Sequence, residues 1–199
     1  NSIGQYNTAN GNYSLFSNTT GSNNLASGYR SLYTNSIGSY NVANGSYSIY
    51  SNTSGNYNSA TGYQALYSNT TSHYNTANGC QALFFNRASY NTATGCQALY
   101  SNTSGISNTA SGYNALYSNT TGSYNIANGL NSLYSNTTGS SNTANGVSSL
   151  YNNTNGADNT ANGYQSLNSN STGDMNTANG SSSLSSNTIG NNNTSSGHF

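Results

Sequence analysis

Charged residues are nearly absent from this sequence. Its 199 residues include two Lys or Arg and two Asp or Glu, so the formal net charge is zero. The four charged residues are Arg30, Arg87, Asp158 and Asp174. An ordinary globular domain is about a quarter charged, whereas this chain is 2% charged. Because there is no basic patch to neutralise phosphates, we expect no nucleic-acid binding.

Other residue types and patterns that the sequence lacks exclude further classes of function. The chain has no Pro and no Trp, and no apolar run approaches the length that spans a bilayer, so we expect no membrane insertion. His73 and His198 are far apart and lack neighbouring carboxylates, so no catalytic triad, carboxylate pair or metal site can be assembled. We therefore expect neither an enzyme nor a cofactor. The chain begins without Met and has no signal sequence, which predicts a mature form or a fragment.

What the sequence does contain is a repeat. Asn, Ser and Thr make up 103 of the 199 residues, a composition that by itself suggests disorder. However, the phrase Asn-x-Ala-x-Gly returns every 17 residues, beginning at Asn7, Asn24 and Asn41, with one step of 16 from Asn75 to Asn91. The consensus unit is N-T-A-N-G-Y-Q-A-L-Y-S-N-T-T-G-S-Y, numbered here as positions 1 to 17. Residues 1–199 thus form a single array of about 11.5 units, with one shortened unit at 75–90.

This period predicts an all-β fold, a parallel β-solenoid (β-roll) with one repeat per coil. The unit is too short for a helix-pair repeat, and dense Asn, Ser, Thr and Gly favour turns over helix. Asn-Gly at positions 4–5 and Asn-Thr-Thr-Gly at positions 12–15 predict two turns per coil, with one strand between them on each side. An antiparallel meander of hairpins is the alternative, but residues that return at a constant period favour stacking at about 4.8 Å.

Stacking assigns a role to the constant Asn residues. Asn occupies positions 1 and 12 in every unit, and stacked Asn side chains form amide ladders. Like charges stacked at this spacing are destabilising, so the ladder architecture also accounts for the missing charge. The predicted ladder residues are Asn7, Asn24, Asn41, Asn58, Asn75 and Asn91 at position 1, and Asn18, Asn52, Asn69, Asn102, Asn119 and Asn136 at position 12.

Strand alternation predicts two partly apolar faces. Position 9 supplies the core on one face: Leu15, Leu32, Ile49, Leu66, Leu83, Leu99, Leu116, Leu133 and Leu150. Positions 8 and 10 share the other face, where an exposed aromatic stripe is expected at Tyr33, Tyr50, Tyr67, Phe84, Tyr100, Tyr117 and Tyr134. An exposed stripe of this kind marks an interface, so we expect copies of the chain to associate. A three-sided coil that turns the Tyr side chains inward is the alternative.

The repeat resembles the Asn-Thr-Ala-x-Gly-x-x-Ala-Leu-x-x-Asn-Thr-Thr-Gly arrays of tail-fibre-like surface proteins from bacteria and viruses. Residues 58–71 match this pattern closely, with the sequence N-S-A-T-G-Y-Q-A-L-Y-S-N-T-T. Some of those proteins end in an intramolecular chaperone domain of the endosialidase type, which this sequence does not contain. A looser similarity links the unit to the head of trimeric autotransporter adhesins, which form left-handed parallel β-rolls with a shorter repeat. The resemblance implies a location outside the cell, or on a virion or cell surface.

Three local features leave alternatives open. Cys80 and Cys96 occupy position 6 of adjacent coils, where they form either a disulfide or a free-thiol pair. The shortened unit lacks one turn residue, and the simplest interpretation is a shorter turn. The alternative is a binding or branching point, because Arg87 and His73 lie close to each other along the rod. Seven of thirteen Asn-x-Ser/Thr sequons fall at position 12, where a glycan competes with the ladder.

These observations predict a non-enzymatic structural protein, a self-associating segment of an extracellular fibre or surface appendage. The first alternative is an adhesive shaft whose aromatic rows contact cell-surface glycans. The second is an ice-binding solenoid, suggested by the Thr columns at positions 2 and 13, although Leu25, Val42 and Ile126 interrupt the first.

Overall fold

In the computed structural model, which describes residues 3–198, the chain forms a solenoid with one repeat per coil and no helix in that range. Each coil contributes one three-residue strand, and the strands form a single parallel sheet of 12 strands in chain order. The strands are β1 Thr8–Asn10, β2 Leu25–Ser27, β3 Val42–Asn44, β4 Ser59–Thr61, β5 Thr76–Asn78, β6 Thr92–Thr94, β7 Thr109–Ser111, β8 Ile126–Asn128, β9 Thr143–Asn145, β10 Thr160–Asn162, β11 Thr177–Asn179 and β12 Thr194–Ser196. The predicted parallel solenoid is therefore confirmed, and the meander is excluded.

The sheet keeps every repeat position in register. Position 3 stacks Ala on Ala, as in Ala110 opposite Ala127, while positions 2 and 4 of the same strands face outward. The shortened unit does not disturb this register, because Ala77 still pairs with Ala93. Twelve strands at the usual spacing make a rod about 53 Å long.

The second strand predicted in each coil, over x-x-Ala-Leu-Tyr-Ser, is wrong. Positions 6–11 form a turn in which positions 7 and 9 have left-handed backbone, as at Gln97 (φ 58°) and Leu99 (φ 52°). Gln97 N–H donates to Cys80 O of the preceding coil, and Leu99 N–H donates to Ala115 O of the next coil, both at 2.9 Å. Left-handed backbone costs about 1–2 kcal/mol for an L-residue, and these hydrogen bonds with the burial of Leu offset the cost.

The turn also changes which side chains are buried. In a regular strand, positions 8 and 9 would point to opposite faces. Here the side chains of both positions are buried, as Ala115 and Leu116 show at 0% exposure. All nine predicted core residues are buried, and the position-3 Ala residues of β2 to β11 line the same interior. The core is thus a column of Leu flanked by Ala and Ser, with the Asn ladders beside it.

Glycine is constant at position 5 because the coils approach closely there. Gly129 has φ 138°, and a Cβ on it would lie 2.5 Å from Gly146 O of the next coil. Both the backbone conformation and the contact exclude a side chain. Constancy of this glycine is therefore a requirement of coil stacking.

Candidate functional surfaces

The predicted Asn ladder at position 12 is present and buried. Asn119 Nδ2 donates to Asn102 Oδ1 at 2.8 Å, and Asn119 Oδ1 accepts from Asn136 Nδ2 at 2.8 Å. The same Nδ2 also donates to Gly122 O at 2.9 Å. Asn119 thereby links its own turn to the coils on both sides, and it is fully buried. Within residues 3–198 the ladder is interrupted between Asn69 and Asn86, where the shortened turn begins: Asn86 Nδ2 donates to Ala88 O at 2.7 Å and not to Asn69.

The Asn column at position 1 forms a second ladder on the other side of the same glycine. Asn125 Oδ1 accepts from the backbone N–H and from Nδ2 of Asn142, at 3.0 and 3.2 Å. Asn125 Nδ2 donates in turn to Gly139 O, which also accepts from Asn136 Nδ2, both at 2.9 Å. Position 15 is therefore a shared acceptor that couples the two ladders.

Position 16 carries a third ladder that sequence reasoning missed. The backbone N–H of this position donates to the position-16 side chain of the next coil, as Ser39 N–H does to Asn56 Oδ1 at 2.7 Å. His73 serves as such a rung, because its Nδ1 accepts from Asn56 N–H at 3.0 Å. The signal was available in the sequence, since most residues at this position carry a short hydrogen-bond acceptor and Ile106 and Ala157 are exceptions.

The aromatic residues at position 10 stack on each other and are half-buried. The expectation of an exposed stripe is corrected here, because Tyr33 through Tyr151 at this position are all of intermediate exposure and only Phe16 is exposed. Rings of consecutive coils are nearly parallel, with centroids 5.1 Å apart and 3° between planes for Tyr100 and Tyr117. Burial and neighbouring Tyr100 and Tyr134 raise the pKa of Tyr117 above its ordinary value. The column thus stabilises the rod from within one chain.

A second aromatic column, at position 17, is exposed. Tyr40, Tyr57, Tyr74 and Tyr90 stack with centroid separations of 4.8 to 5.3 Å and planes within 8° of parallel. Their side chains remain between 49% and 59% exposed. The sequence carries a signal for this column, because position 17 is Tyr in four consecutive coils.

Both columns present ring edges to solvent. A sugar stacks on an aromatic face, but in each column the faces are covered by the neighbouring rings about 5 Å away. What remains outward is ring edges and, on the Tyr residues, phenolic hydroxyls. This geometry favours packing against another protein surface over stacking on carbohydrate.

The Thr columns lie in different environments. Position-2 Thr side chains, such as Thr109, point outward from the sheet. Position-13 hydroxyls are used internally, because Thr120 Oγ1 donates to Thr137 O of the next coil at 2.9 Å. Only the position-2 rank therefore belongs to an outward surface of the sheet.

The sequons divide into two groups by burial. All seven at position 12 are buried ladder residues: Asn18, Asn52, Asn69, Asn102, Asn119, Asn136 and Asn170. By contrast, Asn12, Asn44, Asn152, Asn179 and Asn192 are exposed. Asn193 is half-buried and belongs to the position-1 ladder, since its Nδ2 donates to Asn176 Oδ1 at 3.0 Å. A glycan on a ladder residue would require the ladder to open, so the folded rod can carry sugars only at the exposed sequons.

Among residues 3–198 there is no cluster of three or more His, Cys, Asp or Glu that could hold a metal ion, and no helix long and apolar enough to cross a membrane. His73, in the coil before the shortened unit, is a rung of the position-16 ladder, and Arg87 is exposed in the shortened turn. A hollow of about 500 Å³ near Leu184 and Ser195 lies in the last coils and is lined by Ser, Asn and Leu.

Comparison with family models, with curated proteins and with solved structures finds no match to this chain.

Proposed function

We propose that this chain is a structural rod, a self-associating segment of an extracellular fibre or of a virion or cell-surface appendage. The resemblance of the repeat to tail-fibre-like arrays supports the location. The observation that carries the proposal is the bonding between coils, which repeats from coil to coil away from the shortened unit and makes the length and stiffness of the rod a function of copy number.

One coil illustrates the bonding. Residues 108–124 donate backbone hydrogen bonds of 2.8 to 3.4 Å to both neighbouring coils: to the preceding coil from Gly112, Asn114 and Tyr124, and to the next coil from Thr109, Leu116, Ser118, Thr120, Thr121 and Gly122. The two buried Asn ladders run parallel to these bonds. A pull along the rod axis is therefore shared by many bonds at such a coil boundary.

The exposed position-17 column supplies the lateral contact. Tyr40, Tyr57, Tyr74 and Tyr90 form a straight edge of half-exposed rings, and Val42, two residues after Tyr40, adds exposed apolar surface beside it. Monomeric proteins rarely leave a contiguous apolar stripe of this kind uncovered. A second copy of the same chain offers the same repeat spacing, so its column can match the first ring for ring.

Sedimentation and electron microscopy of matched double variants test the association. Tyr57→Ser with Tyr74→Ser removes the centre of the column, and we expect it to convert an oligomer or filament of the wild-type chain into monomer. The control is Tyr113→Ser with Tyr164→Ser, two side chains that are 51% and 53% exposed and lie outside the column. We expect the control to assemble like the wild type.

Two results would contradict the proposal. A wild-type chain that remains a monomer at high concentration would remove self-association. Equal loss of assembly in both double variants would show that general surface hydrophobicity, and not the column, is responsible.

The outward face of the sheet favours ice binding as a second candidate. Thr occupies position 2 in eight of twelve coils, including the four consecutive residues Thr143, Thr160, Thr177 and Thr194, with positions 2 and 4 both facing outward. These ranks repeat at about 4.8 Å along the rod and about 6.7 Å along each strand. Thermal hysteresis that is lost in Thr160→Tyr with Thr177→Tyr would support this candidate, and absence of ice shaping by the wild-type chain would remove it.

A further inference from the structure

The two cysteines of the chain meet on adjacent coils. Cys80 and Cys96 follow the glycines of position 5 in successive coils, and their Sγ atoms lie 2.9 Å apart with both thiols free. Cys80 is exposed and Cys96 is half-buried. Position 6 lies in the turn, and the short separation of the two Sγ atoms shows that the side chains meet across the coil boundary.

This pair bridges a coil boundary that is bonded incompletely, the one between the shortened coil and the coil after it. The position-13 backbone N–H donates to the next coil in most coils, as at Thr53 at 2.8 Å, but within residues 3–198 neither Thr70, just before the shortened coil, nor Arg87, within it, makes such a bond. The position-17 N–H donates to the preceding coil at Tyr124, at 3.0 Å, but in the same described range Ser107 does not. Each of the two coils at this boundary therefore has a backbone N–H, next to the shortened turn, that does not donate to the other coil.

The third ladder is also interrupted there. Position 16 of the shortened coil is Ser89, and position 16 of the next coil is Ile106, whose side chain has no hydrogen-bond acceptor. One boundary earlier the ladder is intact, because His73 N–H donates to Ser89 Oγ at 3.0 Å. The missing rung therefore falls at the same boundary as the missing backbone bonds.

A second side-chain link crosses this boundary next to the cysteines. Gln97 Nε2 donates to Gln81 Oε1 at 3.0 Å, and Gln81 Nε2 donates to Gln64 Oε1 of the coil before at 2.9 Å. These Gln residues occupy position 7, in the turn of positions 6–11 and not in the shortened turn of positions 12–15. Side-chain links at positions 6 and 7 therefore accumulate where turn contacts are lost.

We propose that Cys80 and Cys96 form an oxidant-closable staple across the coil boundary that the shortened turn weakens. The oxidant class is a small-molecule disulfide. With the thiols reduced, this boundary is a place where the rod opens locally; with the disulfide formed, opening at this boundary is suppressed.

The closure is a two-step thiol–disulfide exchange. Cys80, the more exposed thiol, attacks one sulfur of the small disulfide as its thiolate, forming a mixed disulfide and releasing one small thiol. Cys96 then attacks Cys80 Sγ, forming the Cys80–Cys96 bond and releasing the second small thiol. The protein loses two protons and two electrons, and the small disulfide is reduced by the same two electrons.

The order of attack agrees with the surroundings of Cys96. Its hydrogen bond with Cys80, and then its burial, raise the pKa of Cys96 to about 11, which disfavours it as the first nucleophile. Once Cys80 is in the mixed disulfide, that thiol-to-thiol hydrogen bond is gone, so Cys96 is released to resolve the intermediate.

Intact-mass measurement after treatment with oxidised glutathione tests the chemistry. We expect the wild-type chain to lose two hydrogens and to resist alkylation, while Cys80→Ser and Cys96→Ser each end as a stable glutathione adduct or stay unmodified. A wild-type chain that accumulates adducts at both cysteines, or that forms disulfide-linked dimers, would overturn the proposal.

Hydrogen exchange at Leu83 and Phe85 tests the staple itself, because their N–H groups donate across this boundary to Ala98 O and Tyr100 O, both at 3.0 Å. We expect exchange there to be at least about thirtyfold slower in the oxidised wild-type chain than in the reduced one, the factor that corresponds to the lower end of what a disulfide contributes. The double variant Cys80→Ser with Cys96→Ser, treated identically, should show no change. A disulfide that forms without slowing exchange at these amides would refute the stapling role.

Discussion

Asn119 lies in the middle of the position-12 ladder, and replacing it with Asp changes one buried atom. The side chain donates from Nδ2 to Asn102 Oδ1 and Gly122 O, at 2.8 and 2.9 Å. In Asn119→Asp, a carboxyl oxygen faces these two acceptors. A protonated carboxyl can donate to one of them, and Gly122 O keeps its bond from Asn108 Nδ2 at 2.9 Å. At low pH we therefore expect a loss of about 1 kcal/mol, one hydrogen bond.

The loss grows as the pH rises. An ionised carboxylate at this buried site would face two acceptor oxygens, so the pKa of the new Asp is raised in the folded state. The folded chain then holds a proton that the unfolded chain releases near pH 4, and the free energy of unfolding falls by about 1.4 kcal/mol for each pH unit above that. If the folded pKa reaches about 7, the accumulated cost at pH 7 is about 4 kcal/mol.

Urea unfolding followed by circular dichroism between pH 3 and pH 8 measures this dependence. The matched control is Asn128→Asp, because Asn128 belongs to an outer ladder, donates to Asn145 Oδ1 at 2.9 Å and is exposed. A hydrated carboxylate there should change stability by about 0.5 kcal/mol or less at any pH. Equal pH dependence in the two variants would refute the claim that the inner ladder is dehydrated.

Three further predictions follow from the packing. Leu116→Ala removes a fully buried core residue and should cost about 2–5 kcal/mol by urea unfolding, whereas Tyr124→Ala, at 60% exposure, should cost about 0.5 kcal/mol or less. Gly129→Ala places a Cβ 2.5 Å from Gly146 O, so the melting temperature of this variant should be well below that of a variant with a surface Ser replaced by Ala. An unchanged melting temperature would contradict the close approach of the coils. Burial, and then Tyr50, raise the pKa of Tyr67 in the folded chain, so stability should fall as the pH rises above about 10, and a phenolate absorbance titration that matches unfolded chain would contradict this.

Much of the fold could be predicted because the repeat leaves few architectures. A constant repeat length stacks each residue on its own copy, and the amide of Asn bonds to itself in such a stack. Burial of the position-9 Leu column followed from its constancy. The second strand could not be rejected from sequence, because Leu and Gln carry no signal for left-handed backbone, and only hydrogen bonds to the neighbouring coils make that conformation stable.

The candidate surfaces were less predictable for the same reason. Sequence reasoning assigned the exposed stripe to position 10, since regular alternation would place Tyr117 opposite Leu116. The left-handed residues at positions 7 and 9 rotate the chain, so the position-10 rings are half-buried. Position 17 has left-handed backbone of its own, as at Tyr57 (φ 57°), whose side chain is 49% exposed. Which aromatic column faces solvent depends on backbone angles that no residue type at those positions specifies.

The sequence by itself determined the period, the parallel stacking, the Leu core, the Asn ladders and the scarcity of charge, because each depends only on what recurs once in every repeat. Tertiary structure alone decided the path of the chain within a coil. It set the exposed Tyr column, the ladder at position 16, the meeting of Cys80 with Cys96 and the missing contacts of the shortened coil. These features arise from contacts between coils, and a contact exists only once the neighbouring coil is in place.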